Sequence, residues 1–260
     1  MEGLRPRALP KGTSYELEPL IKYLRRKNEG EYKAALGSLI TLQQAWSSIY
    51  DLLKASEIMN FLRDGTPDSP RWAQIPSSIT TAGFSQAILL YVRATNMDKD
   101  RKGLNVKGWL STEEWETHLE LKRIRNKVIA HLDKERKFSG KSFHDERLVI
   151  RHDGMGGQSV LLAHMRLGYD PKLSDSIVNL IVKVIDNSND YLKDRIEKFG
   201  KIISKLSQFD PMIGRTIELK PFDALRFFGD PNAASDFING EYVGSNFDKE
   251  LLLYEDRPDD

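Results

Sequence analysis

Apolar residues recur at intervals of three and four along most of this chain, and this spacing constrains its fold more than any other feature. Such spacing places apolar side chains on one face of an α-helix. It predicts four long amphipathic helices, over about 31–63, 78–96, 111–134 and 170–207. A shorter helix is expected near Tyr15 to Arg26. Long helices of this kind pack side by side through their apolar faces, so the fold is mainly α.

Turn-forming residues and capping patterns mark the ends of these helices. The cluster DGTPDSP, at 64–70, ends the first helix. Ser111 and Glu114 have the spacing of a capping box, in which each side chain bonds the backbone amide of the other residue. Asp170 and Pro171 suit the cap and first position of the last helix. Short connections between long helices indicate an antiparallel helical bundle.

Between Arg136 and Leu167 the helical spacing is lost. The apolar runs RLVIR and SVLLAHM flank the turn-rich segment HDGMGGQ, and this order predicts a β-hairpin. The hairpin, at about 136–167, is therefore inserted before the last long helix. The expected organisation is an N-terminal lead-in at 1–30, a helical bundle at 31–207 and an irregular, aromatic-rich C-terminal extension at 208–260.

The C-terminal extension combines proline, glycine and aspartate with many aromatic residues. These are Phe222, Phe227, Phe228, Phe237, Tyr242 and Phe247. A solvated tail does not carry so much aromatic surface. We expect the segment either to pack on its own bundle, which is the simpler expectation, or to meet a partner.

Composition excludes several classes of protein. The chain has no cysteine, so disulfides, cysteine zinc sites and thiol nucleophiles are excluded. Lys and Arg number 39 and Asp and Glu 38, a formal net charge of +1, so any nucleic-acid site must rest on a local basic patch. No run approaches about eighteen apolar residues and the N-terminus lacks an apolar signal region, so we expect a cytoplasmic protein without a membrane partner.

The segment LKRIRNKVIAHLDK, residues 121–134, is the strongest candidate for a functional site. It contains Arg125, Asn126 and, after four more residues, His131. On an α-helix Arg125 and His131 would be about 120° apart. They would lie on opposite shoulders of the apolar stripe that begins at Ile124, where both could reach a groove or a second subunit.

This segment resembles the signature of HEPN domains, in which Arg and a polar residue such as Asn precede His by four to six residues. Its flanks, IRNKVIAHLDKE, are similar to the abortive-infection, phage-defence branch of that superfamily. The resemblance implies a HEPN-like bundle that cleaves RNA, single-stranded by preference, without a metal or other cofactor. It also implies a homodimer whose paired motifs form one composite site, and a toxin or defence effector for which an antitoxin or defence partner is a candidate.

The same resemblance implies a role for each residue of the motif. His131 would be the general base or acid, and Arg125 would hold the scissile phosphate and its developing charge. Asn126 would orient the histidine or bond the phosphate. The ribose 2′-OH would attack, so DNA should resist cleavage.

Basic and aromatic residues near the motif are candidates for RNA binding. Lys122 and Lys127 would add positive charge beside a phosphate backbone. Arg123 is expected on a solvated helix face. Trp72, in the loop SPRWAQIP, is a candidate for stacking on a base.

Other interpretations of the same residues stay open. Arg147 and His152 also have four residues between them but lie in a predicted strand, so the spacing alone is weak. Arg125 could instead pair with an acid while His131 makes one structural hydrogen bond. The chain would then be a non-catalytic HEPN-like module that binds RNA or protein, or an unrelated helical interaction protein with a chance match.

The sequence gives no convincing metal or nucleotide site. The remaining histidines are dispersed and none has metal-ligand spacing; they are His118, His144, His152 and His164. The glycine-rich stretch at 153–157 lacks the spacing of a phosphate-binding loop and suits the hairpin turn better.

Overall fold

The fold is mainly helical, as the apolar spacing predicts. The computed structural model describes residues 13–64, 77–97, 102–129, 137–138, 141–142, 144–152, 158–166 and 171–239. Within these ranges the chain forms eight α-helices, one π-helical segment and two separate two-stranded antiparallel sheets. None of the described helices combines the length and the apolar character needed to cross a membrane.

The long helices lie where the spacing places them. Their bounds are α2 Gly30–Asp64, α3 Ser77–Thr95, α4 Thr112–Arg123 and α5 Pro171–Phe209, and the shorter helices are α1 Glu18–Lys27, α6 Met212–Ile217, α7 Ala224–Phe228 and α8 Pro231–Asn239. The strands are β1 Lys137–Phe138, β2 Lys141–Ser142, β3 His144–His152 and β4 Gln158–Arg166. The bounds of α2, α3 and α5 agree with prediction to within two residues.

The chain divides into two compact units. One unit comprises 1–42 with 193–260, and the other comprises 43–192. The divisions fall inside α2 and α5. Each of these helices therefore contributes one part to each unit.

The first unit has a small core built from α1, α6 and the adjoining parts of α2 and α5. Its buried residues are Leu20, Leu24, Ala35, Leu39, Leu206 and Ile213. Backbone bonds tie the segment after α6 to the segment before α1: the Glu16 amide donates to the Lys220 carbonyl at 2.9 Å, and Tyr15 bridges Pro221. The first part of the C-terminal extension therefore packs within its own unit.

The C-terminal extension is more regular than the sequence suggests. Three short helices, α6 to α8, occupy most of 212–239. Four of the six aromatic residues pack together there, since Phe222 and Phe228 each contact Phe237 and Phe227 joins the same cluster. Tyr242 and Phe247 lie outside the described residues.

The second unit has the larger core. Fully buried side chains come from the second part of α2, from α3, from α4 and from the first part of α5, and include Leu52, Phe84, Tyr91, Leu121, Ile177 and Leu180. All of these positions follow steps of three and four on their helices. Tyr50 on α2 is 51% exposed, because the buried face of the helix passes through Ile49 and Leu52 on either side of it.

The capping box and the hairpin are both present as predicted. The Glu114 amide donates to Ser111 Oγ at 3.3 Å, and the Ser111 amide donates to Glu114 Oε2 at 2.7 Å. Strands β3 and β4 pair antiparallel from His144 with Arg166 to His152 with Gln158. The connecting residues 153–157 lie outside the described part of the chain.

Candidate functional site

The candidate motif lies where the helix after Ser111 changes its winding. Residues Thr112–Arg123 form α-helix, but Ile124–Ile129 form a π-helix. A π-helix has hydrogen bonds from residue i to i+5 and is rare, and short π segments often occur at functional sites. Arg125 and Asn126 therefore lie on a wider turn than the α-helix that the apolar spacing predicts for them.

Arg125 and Asn126 are both exposed on this π-helical segment. Arg125 Nη1 donates a hydrogen bond to Asn126 Oδ1 at 2.8 Å. The amide oxygen of Asn126 is therefore engaged in orienting the guanidinium, while its NH2 group can still donate to a ligand. His131 and Trp72 lie outside the described residues, and for Lys127 the structure describes only the backbone.

Arg125 lines a half-open groove of about 320 Å³ in the second unit. The other lining residues come from α3 and the residue that follows it: they are Gln86, Leu89, Leu90, Val92, Arg93 and Asn96. The groove therefore combines two guanidinium groups and two amides with an apolar surface. The sequence indicates that Arg125 can reach a groove or a second subunit, and it does not identify Arg93 as a neighbour.

Arg93 is held by a carboxylate on the neighbouring helix. Its Nε donates to Asp51 Oδ2 at 2.7 Å, and its Nη2 donates to Asp51 Oδ1. The Asp51 side chain is 5% exposed and that of Arg93 is 55% exposed. The hydrogen bond to Asp51 raises the pKa of Arg93. The guanidinium is thus fixed along one edge, while the side chain stays more than half exposed.

This arrangement suits an anion with several oxygen atoms. Arg93 and Arg125 line one groove, and Arg93 has a buried counter-charge in Asp51. Arginine recognises phosphate through its planar fork of N–H donors. A phosphate group in the groove could accept hydrogen bonds from these guanidinium groups. Gln86 and Asn96 could bond a neighbouring sugar or base edge.

His118, on α4, is a buried histidine that serves the core. It is 1% exposed, its Nδ1 lies 3.0 Å from the Tyr91 hydroxyl, and its ring stacks on Trp115 at 4.8 Å between centroids. Burial, aided by the positive charge of Lys122, lowers its pKa to about 4. The ring is therefore neutral near pH 7, and His118 holds α4 against α3.

Three other basic and aromatic residues on or near α4 differ in their burial and contacts. Lys122 is half-buried on α4. Arg123 is exposed and pairs with Glu120 at 2.8 Å, as expected for a solvated face. Trp109 packs edge-on against Tyr191 at 6.0 Å between ring centroids.

Comparisons with known proteins add no relative: no protein-family model, no curated protein and no solved structure matches this chain. Among the described residues, no group of three or more His, Asp or Glu side chains is placed to hold a metal ion. The HEPN resemblance therefore rests on the residues of the motif alone.

Proposed function

We propose that this chain is a HEPN-type, metal-independent endoribonuclease that acts on single-stranded RNA as a homodimer in the cytoplasm, as a toxin or defence effector. One observation carries the proposal: Arg125 of the motif lines the same groove as Arg93, whose guanidinium is fixed by Asp51. Two arginines at one groove, one of them held in place, form a suitable site for a phosphodiester.

In the proposed reaction the ribose 2′-oxygen attacks the adjacent phosphorus. His131 takes the proton of the 2′-hydroxyl as general base, and the His131 of the second copy gives a proton to the leaving 5′-oxygen. The new P–O2′ bond replaces the P–O5′ bond, leaving a 2′,3′-cyclic phosphate and a 5′-hydroxyl. Arg125 and Arg93 stabilise the additional negative charge on the phosphoryl oxygens.

Three further residues extend the proposed RNA site. Lys122 and Lys127 would bind neighbouring phosphates through their positive charge. Trp72 would stack on an unpaired base. An antitoxin or defence partner would control the activity by covering this surface.

The decisive test is cleavage of single-stranded RNA by the purified protein in EDTA. We expect cleavage, its loss in His131→Ala, and retained RNA binding by that variant. His152→Ala is a matched control, because Arg147 and His152 have the same spacing but His152 lies at the end of a strand. RNA with a 2′-deoxy nucleotide at the cut site should resist. Cleavage by His131→Ala at the wild-type rate would refute the mechanism.

If the protein does not cleave RNA, RNA binding separates the two alternative functions. RNA binding that depends on Arg125 and Arg93, with no cleavage of any RNA, would indicate a non-catalytic HEPN-like module. Absence of RNA binding would indicate a helical interaction protein in which the motif is a chance match. Filter binding of a short single-stranded RNA at low ionic strength separates these two results.

A further inference from the structure

The hairpin of β3 and β4 forms a separate two-stranded sheet of nine paired positions. Among the described strands, no third strand pairs with either of its edges. An isolated hairpin is marginally stable in water, and a long edge strand presents unpaired N–H and C=O groups that another strand can bind. Within the described part of the chain, both edges of this sheet are therefore open to strand addition.

Large apolar side chains are exposed on the hairpin. Leu148 is 78% exposed, Ile150 62% and Val160 69%. These three share one face, because alternate residues of a strand share a face and Ile150 pairs with Val160. On the other face Val149 is 38% exposed and Leu161 40%. Adjacent exposed apolar residues of this size mark an interaction surface.

The outer charges of β3 allow the strand to complement itself. Its sequence, HDERLVIRH, begins with His144, Asp145, Glu146 and Arg147, continues with apolar residues at 148–150, and ends with Arg151 and His152. When two such strands run antiparallel about Leu148, Asp145 of each occupies the position opposite Arg151 of the other. Strand β4 contains no acidic residue, so it offers no such pairing with itself.

We propose that β3 pairs antiparallel with β3 of a second copy of this chain, about a twofold axis at Leu148. The product is a continuous four-stranded sheet in the order β4–β3–β3–β4. An interface with twofold symmetry uses the same residues on both copies, as the charge order of β3 allows. The pairing does not depend on the proposed ribonuclease activity, although it would supply the second copy that such an activity needs.

Disulfide trapping tests the register directly, because the wild-type chain has no cysteine. Directly opposite residues of antiparallel strands have Cα atoms about 4.5–5.5 Å apart, within the range that a disulfide spans. Leu148→Cys should therefore form a covalent dimer under mild oxidation. Val160→Cys is the matched control: it is similarly exposed but lies on the outer strand, and it should stay monomeric on a non-reducing gel.

Charge reversal tests the same register in solution without crosslinking. Asp145→Arg and Arg151→Asp should each weaken dimerisation by about tenfold or more, because each places like charges opposite one another twice. The double variant Asp145→Arg/Arg151→Asp should restore it. Sedimentation velocity gives the dissociation constants, and circular dichroism verifies folding.

Three results would overturn the proposal. The first is a wild-type chain that stays monomeric at all accessible concentrations, which would leave the hairpin to a different partner. The second is equal crosslinking of Leu148→Cys and Val160→Cys. The third is failure of the double charge reversal to recover the dimer. Because these measurements involve no RNA, they fail or succeed independently of the ribonuclease proposal.

Discussion

Asp51 on α2 binds the guanidinium of Arg93 on α3 through two N–H donors, with Nε 2.7 Å from Oδ2. The carboxylate is almost fully buried and the arginine is more than half exposed. Asp51 itself does not line the groove that Arg93 shares with Arg125. Its role at the site is therefore to position Arg93. Whether a substitution of Asp51 strengthens or weakens RNA binding tests this role.

Asp51→Asn should weaken RNA binding although it removes a negative charge near the groove. Simple electrostatics predicts tighter binding of RNA by this variant, whereas loss of a fixed Arg93 predicts weaker binding, by about tenfold. The variant should also lose about 1–3 kcal/mol of folding free energy, the usual cost of a hydrogen bond to a charged group. Filter binding and urea unfolding measure the two effects.

Arg93→Lys provides the control for the positioning of Arg93. Lysine keeps the positive charge but cannot bond both carboxylate oxygens through a planar fork. We expect an affinity for RNA close to that of Asp51→Asn. Tighter binding by Asp51→Asn, or wild-type affinity in both variants, would contradict a positioning role for Asp51.

Arg125→Gln should reduce the salt dependence of RNA binding. Each phosphate neutralised on single-stranded RNA contributes about 0.7 to the slope of log K against log salt concentration. The variant should lower the slope by about that amount. Arg123→Gln is the matched control, since Arg123 lies two residues away but is exposed and paired with Glu120. An unchanged slope in Arg125→Gln would mean that Arg125 binds no phosphate.

The sequence predicts the features of this chain that depend on near neighbours. Apolar spacing predicts the long helices, and the Ser111 and Glu114 spacing predicts the start of α4. The bond between Arg93 and Asp51 joins residues 42 positions apart on different helices, so no local pattern predicts it. One signal was present: Asp51 falls on the buried face of α2, next to Leu52, where a carboxylate needs a partner.

The π-helical segment was not predictable in the same way. An amphipathic pattern through Leu121 and Ile124 fits an α-helix, and both of these residues are buried as that pattern requires. The spacing of apolar residues does not distinguish i+4 from i+5 hydrogen bonding over six residues. The apolar spacing therefore does not predict where the Arg125 side chain lies. The structure places it at the groove beside α3.

Asp210→Asn should lower the pKa of Tyr23 back toward the usual value for tyrosine. In the first unit the hydroxyls of Tyr23 and Tyr32 donate to Asp210 Oδ2 at 2.6 and 3.0 Å. The hydrogen bond to Asp210 raises the pKa of Tyr23 to about 12. At neutral pH the hydrogen bond from Tyr23 to Asp210 therefore contributes to the free energy of unfolding. This stabilisation is lost as the pH rises from about 10 through 12.

Absorbance of tyrosinate during an alkaline titration measures this change. Asp223→Asn is a suitable control, because Asp223 caps α7 through the Arg226 amide. We expect Asp210→Asn to ionise earlier than the wild type and Asp223→Asn to follow the wild type. Equal titration of all three proteins would show that Asp210 does not hold the tyrosine hydroxyls in solution.

His118 should make folding stability fall as the pH drops from about 6.5 to about 4. Its pKa is lowered by burial in the folded state to about 4, whereas the unfolded chain has the ordinary value near 6.5. Between these values the unfolded state binds a proton that the folded state does not, so acidification favours unfolding. The full effect on the free energy of unfolding is at most about 3.4 kcal/mol. Urea unfolding across this pH range should show the loss of stability in the wild type and a flatter profile in His118→Gln, whose amide can still bond the Tyr91 hydroxyl.

The pH interval from 4.5 to 6.5 separates the effect of His118 from that of the carboxylates. Carboxylates such as Glu114 and Asp210, whose pKa values are lowered, change stability mainly below about pH 4.5. Parallel profiles for the two proteins in that interval would show that His118 is charged or exposed in solution.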